Sequence, residues 1–203
     1  MKDALKFILK NSIIFATVSF AFSIIGGLFP SSEHTFVIGN PLEVSGITIE
    51  HVMGHIFWGA VIGLATLSIR YIILGGSFAI LLDADHLLQF LDIELVSRMS
   101  HSIPFAVIVT IVFFIILRGK DLRICAIAFS AVLSHIAFDV FLADIAFNTT
   151  TTFPLYSPLI LERTEFGGLD WLGIQIIGVS IVAIVSYLSK RKEIRIQSSL
   201  TKT

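Results

Sequence analysis

The stretch LLDADHLLQF, residues 81–90, sets Asp83, Asp85 and His86 inside a run that is otherwise almost wholly apolar from Tyr71 to Leu91. An ionised side chain placed in hydrocarbon costs a few kcal/mol or more, so the cluster calls for a compensating partner. Three other stretches offer similar groups. His51 and His55 stand one helical turn apart, as do His135 and Asp139, and His101 precedes another apolar run. Neutral imidazole and carboxylate are common ligands of Zn²⁺ and related divalent ions, and a cation offsets buried carboxylates. On a helix, positions i and i+4 share a face, so each pair offers two ligands, or one ligand and the group that orients it. The set exceeds four, which fits one or two ions. Such ions lower the pKa of bound water and clamp a phosphoryl group.

His55, Asp85, His86, His101, His135 and Asp139 are the expected ligands, because an ionisable group within a bilayer is a functional residue by default. Asp83 reads equally as a ligand or as the partner that orients one. His51 lies near the expected membrane interface, where solvation accounts for it, or else it supports a ligand from behind. Ser102 and Ser134, each beside a histidine, read as packing or supporting residues. Cys125 is the only cysteine and falls in an apolar run; it reads as a small buried hydrophobe.

These residues need elements that carry them to a common depth. The chain has 203 residues, of which 55% are hydrophobic and 14% charged, whereas soluble domains carry about 25% charged residues. With a net charge of −1 and no basic stripe, nothing points to nucleic acid. About 20 apolar residues cross a bilayer as a helix. Six segments approach that length: 11–29, 52–69, 71–91, 103–117, 122–147 and 169–188. The expected fold is therefore an all-α polytopic membrane protein, a single unit over 1–203. It comprises an extra N-terminal helix at 11–29, a motif-bearing core at 51–160, a C-terminal helix at 169–188 and a solvated cytoplasmic tail at 189–203. The first segment follows Lys2, Lys6 and Lys10 and could be a signal peptide. Its apolar run exceeds a typical signal core, so a retained anchor is expected. Segments 52–69 and 71–91, divided only around Arg70, should form a tight hairpin. With the N-terminus inside, twelve of the fourteen Lys and Arg residues fall on the cytoplasmic side, which orients the chain with both termini in the cytoplasm. Arg98 and Arg163 are the two outside. His51, His55, the Asp83–His86 cluster, His101, His135 and Asp139 then share one level beneath the outer surface.

In order and spacing these motifs resemble bacterial and archaeal membrane-bound, metal-dependent hydrolases, also labelled LexA-binding inner-membrane-associated hydrolases. The counterparts are Gly54-His55, Asp83-Ala84-Asp85-His86, Ser100-His101-Ser102, Leu133-Ser134-His135 through Asp139, and Pro154-Leu155-Tyr156-Ser157-Pro158. They span about residues 51–160. Two departures stand out: Leu82 replaces a proline, and Val96-Ser97-Arg98 replaces His-Arg-Gly, so that one histidine is missing. Arg98, displaced by one position, brings a positive charge suited to phosphate. The group is distantly similar to zinc-dependent phospholipase C and to single-strand-specific nucleases, which implies hydrolysis of phosphate esters at a helical metal site in a prokaryotic cell membrane.

The expected function is thus a multi-pass membrane hydrolase facing outward. Zn²⁺ and a metal-activated water would cleave a phosphoester, with membrane lipid as the accessible substrate class. Asp83 or Asp85 would be the general base, and Arg98 or Arg163 would steady the phosphate. Two other classes use the same residue types: ion or proton transporters, and proteins with a closed structural metal site. A conducting path needs polar lining throughout, and the inner halves of the expected helices hold almost no ionisable groups.

Overall fold

A computed structural model of the chain describes residues 2–27, 48–91 and 98–200. It is mostly helical, with six α-helices among the described residues: α1 (Lys2–Gly27), α2 (Ile49–Leu64), α3 (Ile69–Leu81), α4 (Ile103–Ile116), α5 (Leu122–Phe147) and α6 (Asp170–Leu200). The helices α1, α5 and α6 are long and apolar enough to cross a membrane, whereas α2 and α4 are shorter apolar helices. Val96 and Ser97, the residues that stand where the resemblance has His-Arg, lie outside the described residues.

The helix ends follow from local chemistry. Thr48 caps α2 by accepting from the His51 amide at 3.2 Å, and Ser102 caps α4 by accepting from the Phe105 amide at 3.2 Å, with Pro104 in the first turn. Asp121 caps α5, which ends at Asn148 in the left-handed conformation, φ 47°. Each cap satisfies an amide or carbonyl that the helix leaves unpaired.

The central element is α5, buried along most of its length and packed against α2, α3, α4 and α6. The expected hairpin of α2 and α3 is present, joined by residues 65–68. Its two helices approach at Gly59 and Gly75, where an added Cβ on either would run into the other's backbone. Small residues allow such close crossing. α1 lies against α3 and the two segments that follow α3. Beneath the polar groups, Phe15, Phe78, Phe105 and Phe113 form a fully buried aromatic layer, with Phe15 stacked on Phe78 at 4.4 Å. At the far end, the Tyr71 hydroxyl donates to Asp121 at 2.5 Å, and Arg123 donates to Glu193 at 2.8 Å.

Four expectations change. The segment 71–91 is not one helix: α3 ends at Leu81 and a 3-10 stretch, Leu82–Leu91, follows. The first helix starts at Lys2 instead of residue 11, because its polar first turns still have helix-forming side chains, and it is described as far as Gly27. Residues 189–200 continue α6, where a tail was expected, although 190–199 are exposed. The fold is also not purely α. A hairpin of β1 (Thr151–Phe153) and β2 (Thr164–Phe166) pairs Thr152 with Glu165.

Candidate metal centre

Every expected ligand comes from the same end of the bundle. α2 presents His51 and His55 from its first turns, and the 3-10 stretch presents Asp83, Asp85 and His86. A short 3-10 turn, Arg98–Ser100, leads into His101, and the second half of α5 contributes His135 and Asp139. The 3-10 geometry decides how the second group divides. Side chains at i and i+3 eclipse in such a helix, so Asp83 and His86 point together, with His86 Nε2 3.6 Å from Asp83 Oδ1. One oxygen of Asp85 accepts a hydrogen bond from Ser23 of α1 at 2.9 Å, while Asp85 still forms a donor group with Asp83 and His86.

The two oxygens of Asp83 face two separate imidazole groups. Oδ2 lies 3.5 Å from both His51 Nε2 and His55 Nε2. Oδ1 lies 3.4 Å from His101 Nε2 and 3.3 Å from His135 Nε2. Asp139 divides in the same way: Oδ1 is 3.2 Å from His55 Nε2 and 3.9 Å from His51 Nε2, while Oδ2 is 3.5 Å from His135 Nε2. Within each histidine pair the Nε2 atoms are 3.0 Å apart. The rings of His55 and His135 stack at 3.7 Å and join the two halves. Three donors thus gather at each of two points, His51, His55 and Asp83 at one and His101, His135 and Asp83 at the other, while Asp139 joins His55 and His135 between them.

The residues fit divalent metal. With metal–ligand bonds of about 2.0–2.1 Å, neighbouring donors are about 3.3 Å apart in a tetrahedral set and about 2.9 Å in an octahedral one, close to the 3.0–3.6 Å that separates nearly all the donor pairs above. His135 Nδ1 donates to the Ala79 carbonyl at 2.7 Å, leaving Nε2 with its lone pair towards the cluster, the arrangement of a ligating histidine. Neither Asp83 oxygen nor Asp85 Oδ1 has a hydrogen bond of good geometry, although all are buried. Buried carboxylates are normally satisfied. Groups of three donor-bearing residues recur here as His51–His55–Asp83, His55–His135–Asp139, Asp83–His101–His135 and Asp83–Asp85–His86, with donor atoms within 4.8 Å of one another in each. These buried clusters could hold metal.

Arg98 Nη2 approaches Asp139 Oδ2 at 3.4 Å, His101 Nε2 at 3.3 Å and Asp83 Oδ1 at 3.9 Å. The guanidinium lies over the buried ring of Phe153 from β1, 5.7 Å from its centroid. With the imidazoles neutral, Asp83, Asp85, Asp139 and Arg98 together leave two negative charges, which one divalent cation balances.

Several supporting roles differ from expectation. His51 is not merely solvated: its side chain is 14% exposed and stands among the donors. Spacing from His55 held that signal, but its nearness to the interface masked it. Ser102 serves as the cap of α4, and the buried hydroxyl of Ser134 has no hydrogen-bond partner among the described residues; neither hydrogen-bonds a ligand there. Arg163 is committed to Thr152, donating to its hydroxyl at 2.9 Å and its carbonyl at 2.7 Å. Ser23 was missed because the first helix offered no titratable group near that end.

The chain matches no family model, no curated protein and no solved structure. The likeness to membrane hydrolases therefore rests on the five motifs.

Proposed function

We propose that the protein is a multi-pass membrane hydrolase that cleaves a phosphoester at a site holding two divalent cations, Zn²⁺ being the ions that suit the donors best. The observation that carries this reading is the division of Asp83 and Asp139, each turning one oxygen to each histidine pair. Bound cations supply Lewis acidity and a water acidified towards neutral pH. The chain's own residues do the rest. His51, His55, His101, His135, Asp83 and Asp139 hold the cations, His86 flanks Asp83, and Arg98 faces the centre with a guanidinium that neither binds metal nor loses its charge. Two divalent ions would turn the cluster's two negative charges into two positive ones, an environment suited to an anionic phosphoryl group. Arg98 fits a phosphate oxygen as a forked donor. Asp85, held by Ser23, offers its other oxygen beside Asp83 and His86 as a further cation donor.

The location supports a lipid-like substrate. The helices α1 to α6, with the 3-10 stretch completing the third crossing, form six spans with both termini in the cytoplasm. Three long apolar helices, two shorter ones and the bias of Lys and Arg support this arrangement. The site then opens to the outer leaflet. The buried phenylalanine layer beneath it argues against a conducting path.

The test uses full-length protein purified in detergent without chelators or metal-affinity resin. The reading expects two divalent ions per chain, and metal-dependent release of product from bis(p-nitrophenyl) phosphate or a phospholipid. Metal-loaded protein that releases nothing from either would overturn the hydrolase reading, and protein that binds no ion would overturn the site.

A further inference from the structure

The N-terminal helix lies outside the region of the motif resemblance and on sequence alone is only an anchor. Its packing says otherwise. Ser12, Ser19 and Ser23 are spaced by seven and four residues and so share one face of α1. All three are buried and all reach the α3 side: Ser12 Oγ is 2.8 Å from Ser77 Oγ, Ser19 donates to the Leu82 carbonyl at 3.4 Å, and Ser23 donates to Asp85 Oδ2 at 2.9 Å. Phe15, between Ser12 and Ser19, stacks on Phe78 of α3 and sets the register. Ser23 and Asp85 are both completely buried. The second oxygen of Asp85 has no hydrogen-bond partner among the described residues, and Asp85 belongs to the group formed with Asp83 and His86.

We infer that α1 is a working wall of the cation centre, and that Ser23 is a positioning residue whose hydroxyl holds Asp85 with its second oxygen turned towards Asp83 and His86. This rests on the reading of the cluster as a cation site. In the 3-10 stretch Asp85 leaves the edge shared by Asp83 and His86, so an anchor from another element has to define its rotamer. Ser23 supplies that anchor and neutralises one of the lone-pair sites that burial leaves without water.

The experiment is Zn²⁺ titration of the full-length protein in detergent, comparing wild type, Ser23→Ala, Ser23→Thr, Asp85→Asn and the Ser23→Ala/Asp85→Asn double variant. Loss of a hydrogen-bond partner behind a metal site typically weakens affinity by about 10–100-fold, and Ser23→Ala should fall in that range. Ser23→Thr keeps the hydroxyl and should recover most of the affinity. On the Asp85→Asn background, Ser23→Ala should change affinity no further, because its effect passes through Asp85. Wild-type affinity in Ser23→Ala, no recovery in Ser23→Thr, or an equal loss on both backgrounds would each overturn the assignment while the cation site stands. Wild-type protein that binds no Zn²⁺ would overturn the site and this role together.

Discussion

The sharpest perturbation of the proposed centre is Asp83→Asn, a substitution that keeps size and removes charge. Its magnitude follows from the division of the two oxygens. Asp83 supplies the one carboxylate oxygen in the triad with His51 and His55 and the one in the triad with His101 and His135, at 3.3–3.5 Å from the imidazole nitrogens. Losing it should therefore empty both positions. His51→Ala removes a donor from one point alone and should leave one ion of two.

Thermal melting separates this from a folding defect. An ion present at about 100 times its Kd stabilises the protein by about 2.7 kcal/mol, and for a chain of this size that corresponds to a rise of about 5–11 °C per position. Wild type should lose up to twice that on chelation, His51→Ala half as much, and Asp83→Asn nothing. In chelator, Asp83→Asn should melt no lower than wild type, because an amide replaces a buried carboxylate that makes no good hydrogen bond. Metal analysis and melting in detergent, with and without chelator, supply both readouts. Two ions retained in Asp83→Asn, or the same single loss as in His51→Ala, would refute a shared carboxylate.

Three further outcomes are expected. Arg98→Gln should keep the metal content of wild type while phosphoester turnover falls about 10²–10³-fold, the usual loss when a charge-stabilising donor is removed; loss of metal would make Arg98 structural. Gly54→Ala would drive a methyl into the ring of Phe138; such overpacking costs about 1–3 kcal/mol, and the displaced start of α2 should release the ion held by His51 and His55, seen as a lower melting temperature with reduced metal. A cysteine at the exposed Glu165 of β2, on a Cys125→Ala background, should react with an impermeant reagent from outside intact cells; labelling only after permeabilisation would invert the orientation.

The sequence made the cluster readable because α-helical spacing is regular. His51 with His55 and His135 with Asp139 could be paired from i and i+4 alone, and an Asp-x-Asp-His run in an apolar stretch advertises its own cost. What stayed hidden was set by departures from that regularity. Nothing in LLDADHLLQF distinguishes a 3-10 turn from a continuing α-helix, yet this turn aligns Asp83 with His86 and lets Asp85 reach both them and Ser23 of α1. Ser23 carries no charge, so its importance appears only when α1 is docked. The two strands after α5 are three residues each and have no alternating apolar pattern long enough to announce them, although Phe153 of β1 lies under Arg98.

Helix lengths explain why the centre sits where it does. At about 1.5 Å per residue, α2 covers about 24 Å and α4 about 21 Å, both less than a hydrocarbon core of about 30 Å. On the proposed topology the shortfall of α4 lies at its first residues, next to the Arg98–Ser100 turn and His101, and α3 yields to the 3-10 stretch at the same level. Non-helical backbone at membrane depth is tolerated only where protein surrounds it or it lines a polar cavity. Here α1, α2 and α5 surround it, and the Leu155 carbonyl accepts from the Ile103 amide at 2.8 Å, closing the start of α4 with the hairpin segment. Shortened helices thus free a layer at one end of the bundle in which the backbone can turn His101, Asp83 and His86 inward. A regular helix would have spread those side chains around its circumference. Extending α4 by helix-forming substitutions at Ser100 and Ser102, with Arg98 and His101 kept, should for this reason leave the protein inserted but remove its metal, as read by metal analysis of the detergent-purified protein.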